Sequence, residues 1–340
     1  MPDETILVTG ATGRIGRVVV ADLLDRGYRV RATTSQTQPP SDSTQRLEWR
    51  QVDLSGNADL NSVVGGCSAV LHLAAEIGKK HRMRAVNETA TERLARAAED
   101  AGVRAFCYTS SVAVYGSGRS VSISESSPVL SLERDVASEY WALDYVREYG
   151  RTKLAGERAI TRVADQMRCI ALRPTVVVDI EQIIGVRDWN IIKRMLASHR
   201  HAHHIYVGDV SDALIWCMER GLAGVGEPGR VEIYNLAEDD RITPRHIDFM
   251  RKAFAASGDR RYRVVSVPWV VDWLHDFVRF HSLPIRNPLW RMRFSGERLK
   301  AAGYKFKYGM EKAEQLALAR LEKEAQMDRR ADLIGHNSPV

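Results

Sequence analysis

The chain has 340 residues, 44% hydrophobic and 27% charged, with a net charge of +6. That length holds one large or two modest domains with real cores, and neither a low-complexity tract nor an internal repeat marks it as fibrous, disordered or solenoid. The charge suits an anionic small molecule such as a dinucleotide or nucleotide sugar and is too diffuse to indicate nucleic acid.

No run reaches the roughly 18 apolar residues of a membrane-spanning helix. The start, MPDETILVTG, lacks a basic segment leading into a long apolar one. A soluble cytoplasmic protein is expected. In chain order, the apolar runs TILVT (5–9), YRVRAT (28–33), LEWRQV (47–52), AVLHLA (69–74), AFCYTS (105–110) and CIALRP (169–174) read as strands. Helical stretches such as 14–26 and 83–101 lie between them. Strand–helix alternation predicts right-handed βαβ units and a parallel sheet covered on both faces. Later, VEIYNLA (231–237) reads as another strand, among helices near 187–197, 209–220 and 244–257, and 310–332 as a charged, solvent-facing helix. The expected fold is α/β: a Rossmann-type doubly wound parallel sheet over 1–175, to which 231–237 returns. A smaller, mostly helical substrate lobe over 176–330 and a tail over 331–340 complete it.

Gly10, Gly13 and Gly16 in ILVTGATGRIG stand between the first strand and the first helix. Glycine is needed there for a tight turn, for backbone approach to a pyrophosphate and for helix–strand packing, and the helix N-terminus offers free N–H groups to phosphates. Where the second strand ends, an acid would favour NAD; the segment Val30–Ser35 has none, and Thr34 and Ser35 offer hydroxyls. With Arg14 and Arg31 as available cations, NADP is favoured over NAD. Asp53, before Leu54, either receives the adenine amino group or caps a helix beginning near Asn57.

Tyr149 and Lys153 of YGRTK stand at i and i+4, on one helix face. Tyr308 and Lys312 of YGMEK repeat that spacing, so spacing alone identifies nothing. A phenol with an ordinary pKa near 10 is a poor base at neutral pH, and a fixed ammonium one turn away would make it useful. Ser111 follows a strand, at the carboxyl edge where α/β proteins bind ligands. Cys67, Cys107, Cys169 and Cys217 match no zinc or disulfide spacing and read as buried thiols. No metal site is expected: SHRHAHH (198–204) has no carboxylate nearby and reads as a surface loop. Arg187, Arg291 and Arg293 could grip a diphosphate, or form a solvated basic face. PWVVDWLHDFVRF (268–280) reads as an amphipathic aromatic helix packed on the core or as a lid.

The ordered set TGATGRIG, VDL (52–54), LHLAA (71–75), VNETAT (86–91), YTSSVAVYG (108–116), YGRTKLAGE (149–157), LRP (172–174), YVGDVSDAL (206–214) and YNLA (234–237) resembles the extended short-chain dehydrogenase/reductases over about residues 4–240. The resemblance implies that Ser111 hydrogen-bonds the substrate oxygen and that Tyr149 exchanges a proton with it. Lys153 would hold the nicotinamide ribose and lower the Tyr149 pKa, while Asn87 orders the active-site helix or the cofactor environment. Within the matched motifs it places Thr12, Ile15, Leu54, Leu73, Ala74, Ala75 and Pro174 beside the cofactor, with Ser111 and Val112 toward the substrate; Arg187 and Arg291, outside those motifs, are substrate candidates on their residue type alone. The family's sugar dehydratases carry acids where this chain has Val112 and Ala113, so dehydration by that route is excluded.

TVVVDIEQ (175–182) departs from the family's VYGPG, and the long Ser111–Tyr149 interval is more like its carbonyl-reducing branch. The resemblance thus implies an NAD(P)-dependent oxidoreductase or epimerase acting on a secondary alcohol or ketone, first of all of a nucleotide sugar, with an NADP-dependent ketone or aldehyde reductase on a non-sugar substrate as the alternative. A homodimer is the family's usual assembly. A non-catalytic cofactor-binding scaffold is the alternative of another class.

Overall fold

Seven apolar segments pair side by side in the computed structural model, which describes residues 4–40, 44–116, 122–132, 144–198, 203–238, 246–268, 270–271, 274 and 292–335. Strands β1 (Thr5–Thr9), β2 (Arg29–Thr34), β3 (Leu47–Gln51), β4 (Ala69–His72), β5 (Ala105–Thr109), β7 (Arg168–Pro174) and β10 (Val231–Leu236) form one parallel sheet in the order β10-β7-β5-β4-β1-β2-β3. The order reverses between β1 and β4, so a crevice opens beyond their carboxyl ends. β10 joins the sheet beside β7, pairing Val231 with Cys169 and Leu236 with Pro174.

The strands are buried on both faces, and alternate side chains enter different cores. From β1, Ile6 and Val8 join Leu71, Cys107, Leu172 and Leu236 under helices α1 (Arg14–Asp25) and α8 (Val207–Leu222). Leu7 points the other way, joining Val70, Phe106, Tyr108 and Ala171 with Leu94 of α4 (Ala90–Asp100) and Ile160 of α5 (Asp144–Val163). All four cysteines are buried free thiols.

Several local expectations need correction. Helix α2 (Leu60–Val64) starts later than the expected position near Asn57, and its cap is Asp59, which accepts from the Asn61 and Ser62 amides. Asp53 instead accepts from the amide (2.9 Å) and hydroxyl (2.7 Å) of Ser55. The expected helix 187–197 divides into a 3-10 turn, Gly185–Asp188, and α7 (Ile191–Ala197), whose N-cap Asn190 accepts from the Lys193 amide. The histidine-rich stretch is no surface loop where it is described: His203 is buried, accepts at Nδ1 from the Phe294 amide (3.1 Å) and donates from Nε2 to the Glu238 carbonyl (3.1 Å). Burial lowers its pKa to about 4. Residues 199–202 and most of the expected helix 268–280 lie outside the described residues. No helix among the described residues is long and apolar enough to cross a membrane.

The start of the C-terminal helix, Gly309–Gly335, is held by two carboxylates, Glu238, which accepts from the Met310 amide (2.9 Å), and Asp209. Asp209 in the first turn of α8 accepts from the amides of Lys307 (3.1 Å), Tyr308 (2.9 Å) and Gly309 (2.8 Å). Tyr308 thus sits just before a helix start, its ring against Tyr206, while Lys312 is exposed. Asp209→Ala leaves three amides without that acceptor and is expected to destabilise the protein by about 2 kcal/mol. Urea unfolding followed by tryptophan fluorescence checks this, an unchanged midpoint counting against the anchoring role.

Candidate active site

The glycine-rich turn closes on the switch-point crevice because side chains are excluded there. Gly10 has φ +67°, and a Cβ on it would lie 2.9 Å from backbone atoms of Ala74. A Cβ on Gly16 would stand 2.3 Å from the Gly10 carbonyl oxygen, so α1 packs this close to the turn only with glycine. A cavity of about 250 Å³ lies along this edge, lined by Gly10, Thr12, Gly13, Thr33, Thr34, Ser35, Asp53, Leu54, Leu73–Ala75, Glu76 and Arg82 among others. Thr12 and Thr34 hydroxyls are 3.0 Å apart across it.

The sequence-derived cations are not at this cavity. Arg14 crosses to the strand β8 (Val176–Val178), donating to the Val177 carbonyl (2.8 Å) and to Gln182 (2.6 Å). Arg31 donates to Glu48 (2.9 Å) and to the carbonyls of Val63 and Gly65 (2.8 Å each). The lining cation is Arg82, which sequence reading missed; it reaches Ser55 (3.0 Å) and Asp53 (3.4 Å). Ile15 packs on the core and Pro174 ends β7 beside Leu236, so neither is on the cavity wall.

The adjoining catalytic-type residues hang on a relay of buried hydrogen bonds. Thr9 accepts from the amides of Leu73 and Ala74 (3.2 Å each), so its proton goes to His72 Nδ1 (2.7 Å). His72 Nε2 then donates to Thr91 (2.9 Å), and Thr91 donates to the Asn87 carbonyl (2.9 Å). A π-turn, Ala85–Thr89, buries Asn87 completely. Its side chain accepts from the Glu76 amide (2.8 Å) and donates to the Glu76 carbonyl (2.9 Å) and to Thr152 of α5 (3.0 Å). Asn87 thus orders the helix that carries Tyr149 and Lys153.

Lys153 is 1% exposed, and its ammonium has no hydrogen-bond partner, lying 4.2 Å from the centre of the Tyr108 ring. Burial lowers its pKa to about 7, against the upward pull of the Glu157 carboxylate. Tyr149 is half-buried, and desolvation raises its pKa to about 12, so it carries its proton at neutral pH. Ser111 caps the 3-10 turn Val112–Tyr115 and accepts from the Ala113 amide (3.1 Å), which leaves its O–H free to donate. Helix α5 approaches this turn through Gly150, where a Cβ would stand 2.3 Å from the Ala113 carbonyl oxygen. Ser111, Tyr149 and Lys153 are therefore on elements in direct contact, past the end of β5 and one strand beyond the cavity.

The proposed substrate arginines divide differently. Arg187 faces Asp188 (3.9 Å) and Glu324 (3.7 Å), and Arg291 lies outside the described residues. Val112 is buried in a cluster with Tyr115, Leu154 and Phe294. A second cavity of about 210 Å³ in the C-terminal region has mostly apolar walls, including Val176–Val178, Trp189, Phe249 and Met310, with His204, His246 and Glu314. Among the described residues no cluster of three or more His, Cys, Asp or Glu could hold a metal ion.

A dinucleotide fits the chemistry of this edge. Gly10 and Gly13 line the cavity without side chains, which leaves backbone open to a phosphate, and the orphaned Lys153 ammonium needs oxygen acceptors such as ribose hydroxyls.

Residues 6–237 match the model of the NAD dependent epimerase/dehydratase family. A 3 beta-hydroxysteroid dehydrogenase/Delta 5-->4-isomerase of Mycobacterium tuberculosis is 27% identical over 318 residues, 84% of this chain and 79% of that enzyme. With a Synechocystis protein bearing a dihydroflavonol 4-reductase name, identity is 35% over 149 residues, 41% of this chain and 43% of that protein. Among solved structures, a short-chain dehydrogenase/reductase superfamily protein of Agrobacterium tumefaciens with bound NAD superposes with TM-score 0.68 at 23% identity, covering 98% of this chain and 99% of that one. A UDP-N-acetylglucosamine 4-epimerase of Methanobrevibacter ruminantium gives 0.66 at 17%, covering 97% and 100%. At these identities the two structures establish the fold.

His72 makes the site acid-sensitive. Burial, with a smaller contribution from the Lys153 charge, lowers its pKa from the usual 6.5 to about 3. A base with a depressed folded-state pKa contributes its full stability above pH 6.5 and loses it as pH falls toward 3, by about 1.4 kcal/mol per pH unit. Thermal unfolding between pH 7 and 4 should show this loss, and His72→Gln should reduce the slope by one proton's worth; an unaltered slope contradicts it.

Proposed function

The chain belongs to the NAD dependent epimerase/dehydratase family, of the extended short-chain dehydrogenase/reductase type, and on that premise we propose that it is an NAD(P)-dependent oxidoreductase acting on a ketone or secondary alcohol. The observation that carries this reading is the Lys153 ammonium, buried without a hydrogen-bond partner one helical turn from Tyr149. A folded chain satisfies its buried charges, so an ammonium held open next to a phenol calls for oxygen acceptors brought by a ligand.

The nicotinamide supplies the hydride. Glycine-rich backbone and the Thr12–Thr34 wall would hold the phosphates and adenosine, Lys153 would bind the ribose, and Ser111 would donate its free O–H to the substrate oxygen. Tyr149, protonated at neutral pH, gives that oxygen its proton during reduction. Lys153 must be charged to lower the Tyr149 pKa for the reverse direction. Preference for NADP rests on the absence of a carboxylate at Thr33–Ser35, since Arg14 and Arg31 are engaged elsewhere.

Reduction of a non-sugar carbonyl compound is favoured over turnover of a nucleotide sugar. Arg187, one half of the diphosphate grip, faces the carboxylates of Asp188 (3.9 Å) and Glu324 (3.7 Å), and the second cavity is walled mostly by aliphatic and aromatic groups, with Gln182 and Glu314 also lining it. The M. tuberculosis relative, aligned over 84% of this chain, is named for a steroid substrate. Val112 and Ala113, both buried and without an ionisable side chain, argue against dehydration.

The test is NADPH and NADH oxidation with aryl aldehydes and alicyclic ketones, 4-nitrobenzaldehyde included. Net consumption is expected, and Tyr149→Phe should lower kcat by roughly 10²–10⁴-fold while cofactor still binds. Cofactor affinity should fall as pH rises through about 7, where Lys153 loses its charge, and Lys153→Met should be insensitive over that range. Isomerisation of a UDP-sugar without net cofactor oxidation would establish the epimerase reading instead; tight cofactor binding with neither reaction would indicate a scaffold.

A further inference from the structure

Beneath the candidate site lies a buried ion pair that no sequence motif reading assigned. Glu157, one turn after Lys153 on α5, receives Arg173 of β7 in a two-pronged contact, Nε to Oε1 at 2.8 Å and Nη2 to Oε2 at 2.6 Å. Both side chains are almost fully enclosed, at 4% and 3% exposure.

What matters is what else the pair holds. Ser110 donates its hydroxyl to Glu157 Oε1 at 2.5 Å, and Ser110 immediately precedes Ser111. Arg173 Nη1 donates to the Tyr115 hydroxyl at 2.9 Å, and Tyr115 is the last residue of the 3-10 turn that Ser111 caps. Tyr115 passes its own proton to Asn235 of β10 at 2.7 Å. The two ends of the Ser111 turn are thus bonded to the two members of one ion pair, and one of those members is on the helix of Tyr149 and Lys153. A bidentate guanidinium–carboxylate contact is planar and directional, so it fixes orientation as well as separation.

We propose that Glu157 and Arg173 are positioning residues that set the Ser111 hydroxyl against Tyr149 by clamping its turn at Ser110 and at Tyr115. The proposal rests on the oxidoreductase reading above. The pair does not line the cleft and acts on Ser111 through Ser110 and Tyr115, while the Glu157 charge also pulls directly on Lys153. Removing Glu157 or Arg173 alone leaves the other as an uncompensated buried charge and threatens folding, so the probes are Ser110→Ala and Tyr115→Phe, each of which removes a hydroxyl from the clamp and leaves the ion pair whole.

With NADPH and 4-nitrobenzaldehyde, each variant should lower kcat by roughly ten- to a hundredfold while KM for NADPH holds. In a Ser111→Ala background the same changes should cost less than about twofold, because the group they position is gone. Amide hydrogen exchange gives a second measurement that needs no substrate. The Val114 and Gly116 amides, bonded inside the turn to Ser111 (3.2 Å) and Ala113 (3.1 Å), should exchange faster by at least about tenfold in Tyr115→Phe, with α5 unchanged. Equal losses of kcat with and without Ser111, or unchanged exchange in the turn, overturn the positioning role. Full turnover by Ser111→Ala alone, or none by the unaltered protein, overturns the functional reading instead, and the exchange experiment then still decides the clamp.

Discussion

A carboxylate shut away from water must find donors, and Glu157 finds three, from Ser110 and from both prongs of Arg173. Those donors come from the end of β5 and from β7, while the carboxylate belongs to α5, so satisfying one charge fixes three elements at the carboxyl edge of the sheet. One turn earlier on the same helix, Lys153 is just as deeply buried and has no hydrogen-bond partner. The contrast is informative because both charges share one environment. A fold that surrounds one buried ion with donors and leaves its neighbour facing an aromatic ring has placed the unmet requirement where a ligand arrives.

The same economy explains the relay from Thr9 to Thr152. Each hydroxyl and imidazole in it both accepts and donates, which determines the His72 tautomer and leaves no competing orientation. The π-turn at Ala85–Thr89 serves this relay: its buried Asn87 spans the Glu76 loop and α5, and the Asn87 carbonyl receives Thr91 as well as Tyr108. Gly156 is required at that crossing, since a Cβ there would stand 2.4 Å from the Tyr108 hydroxyl.

The parallel sheet was legible because its signals are local. Each strand is a short apolar run, each helix an amphipathic one, and the Gly10–Gly16 spacing states its steric need within seven residues. Asp53 and Asp59 show where locality fails: both suit a helix cap, and only the actual start of α2 at Leu60 selects Asp59. The arginines fail for another reason. A guanidinium has five donors and a long reach, so Arg14 and Arg31 were drawn to carbonyls and carboxylates that are neighbours only after folding, such as Val177, 163 residues from Arg14. Arg173, Tyr115 and Ser110 were invisible as a unit, although all three stand inside the recognised motifs YTSSVAVYG and LRP as anonymous framework. His203 was misjudged because a polar run such as HRHAHH looks solvated until a partner for each ring nitrogen is known.

The two copies of the Tyr-x-x-x-Lys spacing make the general point in one chain. Tyr308 precedes a helix whose first amides are held by Asp209 and Glu238, and Lys312 is exposed to water. Tyr149 and Lys153 have the same separation in sequence, yet burial acts on both: the lysine pKa falls to about 7, and the tyrosine pKa rises to about 12, so the phenol holds its proton at neutral pH. Spacing puts two groups on one face of a helix. Burial is what distinguishes this pair, with the Tyr108 ring centre 4.2 Å from the Lys153 ammonium, a neighbour that no five-residue pattern contains.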